Sequence, residues 1–116
     1  MLNEAERVQT RVVDLRRRLH RQPELGLHLP KTQAAVIAEL ERLGFEWRAG
    51  SEVSSVVADI DGSSPGPTVL LRADMDALAM PEDTGLEFTS VYDGTMHACG
   101  HDAHTAMLVG AAEVLQ

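Results

Sequence analysis

An α/β fold is predicted for this chain of 116 residues, with the element order helix, helix, strand, strand, strand, helix. Three observations predict it: a helical period of apolar residues near the start, short β-branched or apolar segments in the middle, and a second helical period near the end. This order is typical of one α/β unit, here an incomplete one. The sequence contains no internal repeat, so a single core is expected.

The first predicted helix runs from residue 2 to about residue 20, because apolar side chains recur there at three- and four-residue steps: Val8, Val12, Leu15 and Leu19. Pro23 ends this helix, since proline disfavours a helical conformation in the residue before it. A second helix is expected over about Lys31–Leu43. Thr32 is the candidate cap at its start, and Gly44 lies where helices commonly end.

Three short segments are predicted to be strands: residues 45–47, 54–60 and 68–73. A loop or hairpin rich in glycine, serine and proline separates the last two. The run Val69-Leu70-Leu71 is uninterrupted and apolar, which is typical of a strand covered on both faces. A final helix is expected from Ala103 onward, because small and apolar residues recur there at helical spacing.

Composition excludes several functional classes. The formal net charge is -8 with only 10 basic residues, so the chain is expected to repel a nucleic-acid backbone. No apolar run approaches the ~20 residues that span a bilayer, so no membrane association is expected. The single cysteine allows no internal disulfide, and the first residues lack a signal-peptide pattern. A reducing, cytoplasmic setting is therefore expected.

The richest cluster of candidate metal ligands is His97, Cys99, His101 and His104. Cys99 and His101 are two positions apart, so an extended backbone would place them on one face with Cα atoms roughly 6.5–7 Å apart. Thiolate and imidazole suit zinc, and imidazole with carboxylates also suits manganese, iron, cobalt or nickel. The alternative is a buried core thiol beside a hydrogen-bonded histidine. Because a structural zinc site needs four ligands, any metal here needs others from elsewhere in the chain or from a partner.

Two aspartates, Asp74 and Asp76, alternate at the end of the third predicted strand. Both are expected to face the cleft where open α/β sheets bind ligands, either orienting metal-binding imidazoles or binding metal themselves. The alternative is a solvated acidic turn. Four polar residues flank the first loop and are interpreted as surface charges around a helix end: Arg17, His20, Glu24 and His28.

Three segments together resemble the amidohydrolase branch of metallopeptidase family twenty: residues 19–26 (LHRQPELG), 70–78 (LLRADMDAL) and 96–108 (MHACGHDAHTAML). Its relatives include hippurate hydrolase, N-acyl-amino-acid amidohydrolases, auxin-conjugate hydrolases and N-acetyl-diaminopimelate deacetylase. The resemblance implies a catalytic domain with a mostly parallel sheet between helices and a smaller inserted domain used for dimerisation. It also implies a pair of divalent metals, which are manganese, zinc, cobalt or nickel.

By motif match, Cys99 and His101 take the positions of family metal ligands. Asp76 takes that of the aspartate that supports the metal centre and is the candidate catalytic residue. Asp74 stands where the peptidase branch has a ligating histidine, and it is expected to lie in the cleft. His97 and His104 are candidate neighbours of the metals or the substrate. One departure from the pattern is Ala79, where the branch usually has proline.

The family is several hundred residues long, so residues 1–116 are expected to form the amino-terminal part of one catalytic domain. The Glu-Glu pair that supplies the general base has no counterpart here. The resemblance therefore implies metal-assisted hydrolysis of the amide bond of small N-acyl amino acids or related conjugates by the intact enzyme, with this chain alone inactive. The alternative is a non-catalytic metal-binding or self-associating module with the same fold.

Overall fold

A computed structural model describes all 116 residues as three helices and one small sheet. In chain order the elements are α1 (Leu2–Arg21), α2 (Pro30–Leu43), β1 (Trp47–Ala49), β2 (Val56–Ala58) and α3 (His101–Leu115). The α/β class and all three helices are confirmed, although α3 begins two residues earlier than the sequence predicts. None of these helices is both long and apolar enough to cross a membrane.

The sheet differs from the expectation of three strands in a mostly parallel arrangement. β1 and β2 form an antiparallel pair, with Trp47 opposite Ala58 and Ala49 opposite Val56. The third predicted strand, residues 68–73, is not formed, and Leu70 within it is 85% exposed. A strand requires a neighbour that satisfies its backbone N–H and C=O groups, and none of the 116 residues pairs with this segment.

The core lies where the three helices meet. Six buried apolar residues form it: Leu15 and Leu19 of α1, Val36 and Leu40 of α2, and Ala106 and Val109 of α3. Gly110 allows α1 and α3 to approach closely, because a Cβ at this position would lie 2.5 Å from Val12 Cγ2. The small residues of α3 therefore set how closely the first and last helices pack.

The start of α2 corrects two predictions. Thr32 is not the cap residue; Leu29 occupies that position and offers no side-chain acceptor. The carboxylate of Glu24 takes over this role, accepting the backbone N–H groups of Lys31 at 3.1 Å and Thr32 at 2.7 Å. Glu24 is thus a structural acceptor for two helix-end donors that would otherwise lack a partner. Gly44 ends α2 with a left-handed φ of 78°, as expected.

Two isolated bridges bring the three sequence motifs together. Leu25 pairs in parallel with Ala77, and the Ala77 N–H donates to Glu24 O at 2.8 Å. Leu78 pairs antiparallel with Met96, exchanging hydrogen bonds of 2.9 and 3.0 Å. The first loop, the acidic segment and the Cys/His segment therefore meet beside the start of α3.

Candidate metal centre

His101 is the first residue of α3 and contacts Asp76 through one ring nitrogen. Nδ1 lies 2.9 Å from the Asp76 carbonyl oxygen and 3.1 Å from its Oδ1. A carbonyl oxygen can only accept, so Nδ1 carries the hydrogen and donates it. This tautomer leaves the lone pair of Nε2 available to a metal ion, which is how a carboxylate commonly orients a metal-binding histidine.

The chain reaches α3 through Gly100, which has a left-handed φ of 82°. Glycine adopts this conformation without the strain that a side chain would add. Cys99, just before it, is a free and exposed cysteine. The alternative interpretation of Cys99 as a buried core thiol is therefore wrong, and its sulfur is accessible to a ligand.

His97 is buried, with 4% of its surface exposed. Neither of its ring nitrogens has a hydrogen-bond partner. Burial lowers the pKa of the His97 imidazole, against the opposing effect of the Asp102 carboxylate. A buried polar atom without a partner usually costs about 1–3 kcal/mol, so both nitrogens of His97 are unfavourably placed for stability.

The other two candidates occupy more open positions. His104 is exposed, and its ring centroid lies 6.1 Å from that of His101. The Asp74 carboxylate accepts a hydrogen bond from Arg72 at 2.6 Å, while its carbonyl accepts one from the Thr105 hydroxyl at 3.0 Å. Asp74 therefore lies against α3 through its backbone, and only Asp76 of the pair contacts a histidine. The expected alternation fails because residues 68–73 form no strand.

His20 is the principal correction at the site, because it is 2% exposed rather than a surface charge. Its Nδ1 lies 2.8 Å from Asp102 Oδ2, and its Nε2 lies 2.9 Å from Glu82 Oε1. Arg16 Nε also donates to Asp102 Oδ2 at 2.8 Å. We call these four residues the His20 cluster. Arg16 and His20 are four positions apart on one helical face, which is the signal in the sequence that points to a shared partner.

Glu82 is ionised within this cluster. Burial by itself would raise the pKa of its carboxyl group, but hydrogen bonds from the Thr84 hydroxyl, the Ser90 amide and His20 together lower the pKa to about 2. The side chains of His20, Glu82 and Asp102 are 2%, 2% and 0% exposed. Two carboxylates thus face one imidazole and one guanidinium, and the imidazole and both carboxylates are shielded from water.

The candidate ligands do not by themselves form a complete metal site. No group of three or more His, Cys, Asp or Glu side chains lies close enough together to hold an ion. An oriented imidazole and an exposed cysteine are present, and Asp102 of the His20 cluster directly follows that imidazole in α3. The predicted position at the surface is confirmed for Arg17 and His28, which are both exposed.

Comparison with known proteins finds one matching family model and several similar enzymes. The model of "Peptidase family M20/M25/M40" matches residues 70–116. Thermostable carboxypeptidase 1 of Saccharolobus solfataricus is 46% identical over 114 residues, which is 97% of this chain and 29% of that protein. N-acyl-L-amino acid amidohydrolase of Geobacillus stearothermophilus is 44% identical over 109 residues, or 94% of this chain and 30% of that protein.

A solved structure agrees with the fold. The Bacillus subtilis YXEP protein, described as a dinuclear metal binding peptidase from the M20 family, superimposes with a TM-score of 0.89 at 41% identity. The match covers 95% of this chain and 31% of that one. This chain therefore spans less than a third of the length of these relatives and corresponds to their amino-terminal portion.

Proposed function

We propose that this chain supplies the first ligands of a divalent-metal centre in an enzyme of the Peptidase family M20/M25/M40 that hydrolyses the amide bond of N-acyl amino acids or related conjugates. The observation that carries the proposal is the contact between His101 Nδ1 and Asp76, 2.9 Å to its carbonyl oxygen and 3.1 Å to its carboxylate. This contact frees Nε2 for a metal two residues after an exposed thiol. The activities for which the similar proteins are named supply the reaction class.

The donor set fits a metal of the zinc or manganese type. Cys99 offers sulfur and His101 offers nitrogen, which suit zinc, cobalt and nickel, while the carboxylate-rich surroundings extend the choice to manganese. Two ligands do not complete a site. We propose that the others, and the carboxylate that moves the proton, lie in the part of the relatives with no counterpart in these 116 residues.

When bound, the metals lower the pKa of a water molecule and polarise the substrate carbonyl. The residues of this chain have narrower tasks. Asp76 holds the His101 ring in the tautomer that presents Nε2, and Cys99 binds through its thiolate. Small N-acyl amino acids are the proposed substrates, and dimer formation through a further domain is part of the same proposal.

The proposal is tested by titrating the purified 116-residue chain with cobalt(II) and recording absorption. We expect one thiolate-to-cobalt charge-transfer band in the near ultraviolet, which Cys99→Ser removes because the thiolate is its source. His28→Asn is the matched control, since His28 is an exposed histidine outside the site. Absence of cobalt binding would contradict the metal assignment. Robust metal-dependent release of acetate from N-acetyl amino acids by the chain alone would contradict its proposed incompleteness.

Asp76→Ala is expected to weaken cobalt binding by about 10-fold, at the lower end of the range for residues that support a ligand. The lower end applies because the Asp76 carbonyl oxygen, 2.9 Å from Nδ1, stays in place when the carboxylate is removed. Competition titration with a chelator measures the change. Asp74→Ala serves as the control, because the Asp74 carboxylate contacts Arg72 rather than His101. Equal losses in the two variants would show that Asp76 has no specific role.

A further inference from the structure

We infer that His20, through its hydrogen bond to Asp102, is a positioning residue for His101: it fixes the start of α3 and therefore the direction in which the metal-binding imidazole points. This inference rests on the proposed function. His20 lies in the last turn of α1, whereas Asp102 directly follows His101 in the first turn of α3. The bond thus joins the end of the first helix to the beginning of the last one.

The attachment of Asp102 is tight on geometric grounds. His20 Nδ1 and Arg16 Nε both lie 2.8 Å from the same oxygen, Asp102 Oδ2. The Asp102 side chain is 0% exposed, so water does not compete for these bonds. Two donors from one face of α1 therefore hold a single carboxylate of α3.

His101 and Asp102 are neighbours held to different parts of the chain. Successive residues of a helix are rotated by about 100° around its axis, so the two side chains leave the helix in different directions. His101 is attached to Asp76 and Asp102 is attached to α1. Fixing both prevents the first turn of α3 from rotating or sliding, and release of Asp102 would let His101 move relative to Asp76.

The second hydrogen bond of the His20 imidazole allows the roles of its two ring nitrogens to be compared. His20 Nε2 lies 2.9 Å from Glu82 Oε1, and Glu82 belongs to the segment between Leu78 and Met96 rather than to α3. Only the Nδ1 bond reaches the helix that carries His101. The two ring nitrogens therefore have separable tasks: one stabilises a loop, and the other positions the metal ligand.

Two variants separate these tasks. The amide nitrogen of asparagine occupies the place of Nδ1, so His20→Asn keeps a donor to Asp102 and loses the donor to Glu82. The amide nitrogen of glutamine occupies the place of Nε2, so His20→Gln does the reverse. Cobalt affinity of the 116-residue chain is measured for both, together with urea unfolding. We expect His20→Gln to bind cobalt about 10-fold more weakly, and His20→Asn to stay within about threefold of the unmodified chain.

A merely structural role would lower cobalt affinity in proportion to stability, irrespective of which donor is lost. Equal affinities in the two variants, or weaker binding by His20→Asn, would overturn the inference. If either variant fails to fold, Arg16→Gln is compared with Arg17→Gln. Arg16 donates to Asp102, whereas the neighbouring Arg17 packs over Phe88 and makes no such bond. We expect only Arg16→Gln to weaken binding, and equal affinities there would also overturn the inference.

A metal-free measurement separates this inference from the proposed function. Long-range nitrogen–proton NMR correlations report which ring nitrogen of His101 carries the hydrogen. In the unmodified chain and in His20→Asn we expect the Nδ1–H form, and in His20→Gln a mixture of tautomers. If the unmodified chain binds no cobalt, the proposed function is wrong. The NMR spectrum then still tests whether His20 positions His101. Identical His101 tautomers in all three proteins would refute this inference.

Discussion

Replacing Asp102 with alanine is expected to lower the free energy of unfolding by about 3–5 kcal/mol, the usual cost of removing one partner from a buried ion pair. Asp102 is 1% exposed, and its Oδ2 accepts hydrogen bonds from both Arg16 and His20. Without the carboxylate, the His20 imidazole and part of the Arg16 guanidinium stay buried with no acceptor from α3. Because domains of this kind are stable by only about 5–15 kcal/mol, the loss is a large fraction of the total. Urea unfolding followed by circular dichroism measures it.

Glu113→Ala is the matched control in the same helix. The Glu113 carboxylate also binds two arginines, Arg11 and Arg42, but it lies near the surface with 15% of the side chain exposed and partners that are 48% and 41% exposed. Ion pairs of that kind contribute about 0.2–1 kcal/mol. Similar losses for Asp102→Ala and Glu113→Ala would show that burial does not determine how much the His20 cluster contributes to the free energy of unfolding.

The second large effect is acid sensitivity caused by Glu82. Its pKa is about 2 in the folded chain, below the ordinary value of 4.5, so the unfolded chain binds the proton more readily. Glu82 therefore contributes its full stability above about pH 4.5 and loses that contribution as the pH falls toward 2. The difference corresponds to about 3 kcal/mol. We expect Glu82→Gln to remove this part of the pH dependence.

The measurement is a series of urea unfolding curves between about pH 6 and about pH 2 for the unmodified chain and the variant. Asp83→Asn is the control, because Asp83 is exposed and its carboxylate accepts no hydrogen bond. The control should lose stability with acid as steeply as the unmodified chain. A Glu82→Gln variant with the same steep loss would mean that other carboxyl groups dominate acid unfolding.

What the sequence predicts well is local. The apolar period through Leu15 and Leu19 identifies α1, because the same side chains that set the period also form the core. Gly44 marks the end of α2 because glycine itself favours the left-handed conformation required there, with no contribution from a distant residue. Cys99 and His101 also stand out from one short motif, and their role as metal ligands stays a prediction.

The sequence predicts poorly those features that depend on residues far away along the chain. The segment 68–73 has the composition of a strand, but pairing decides strand formation and no residue here pairs with it. His20 is a polar residue inside the protein because Asp102 and Glu82, 82 and 62 positions away, satisfy its nitrogens. The local sequence pattern around His20 does not reveal these two partners. Without knowledge of them, a histidine at a helix end is expected at the surface.

The contact between α1 and α3 also constrains the time course of folding. The bond from Arg16 to Asp102 spans 86 positions, and Val12 meets Gly110 across a still longer stretch of chain. Contacts of such high sequence separation form late, since the entropy of closing a long loop must be overcome first. During synthesis, the contact between α1 and α3 can therefore form only after α3 has left the ribosome. Until then, Asp102, the neighbour of His101, cannot bind Arg16 and His20.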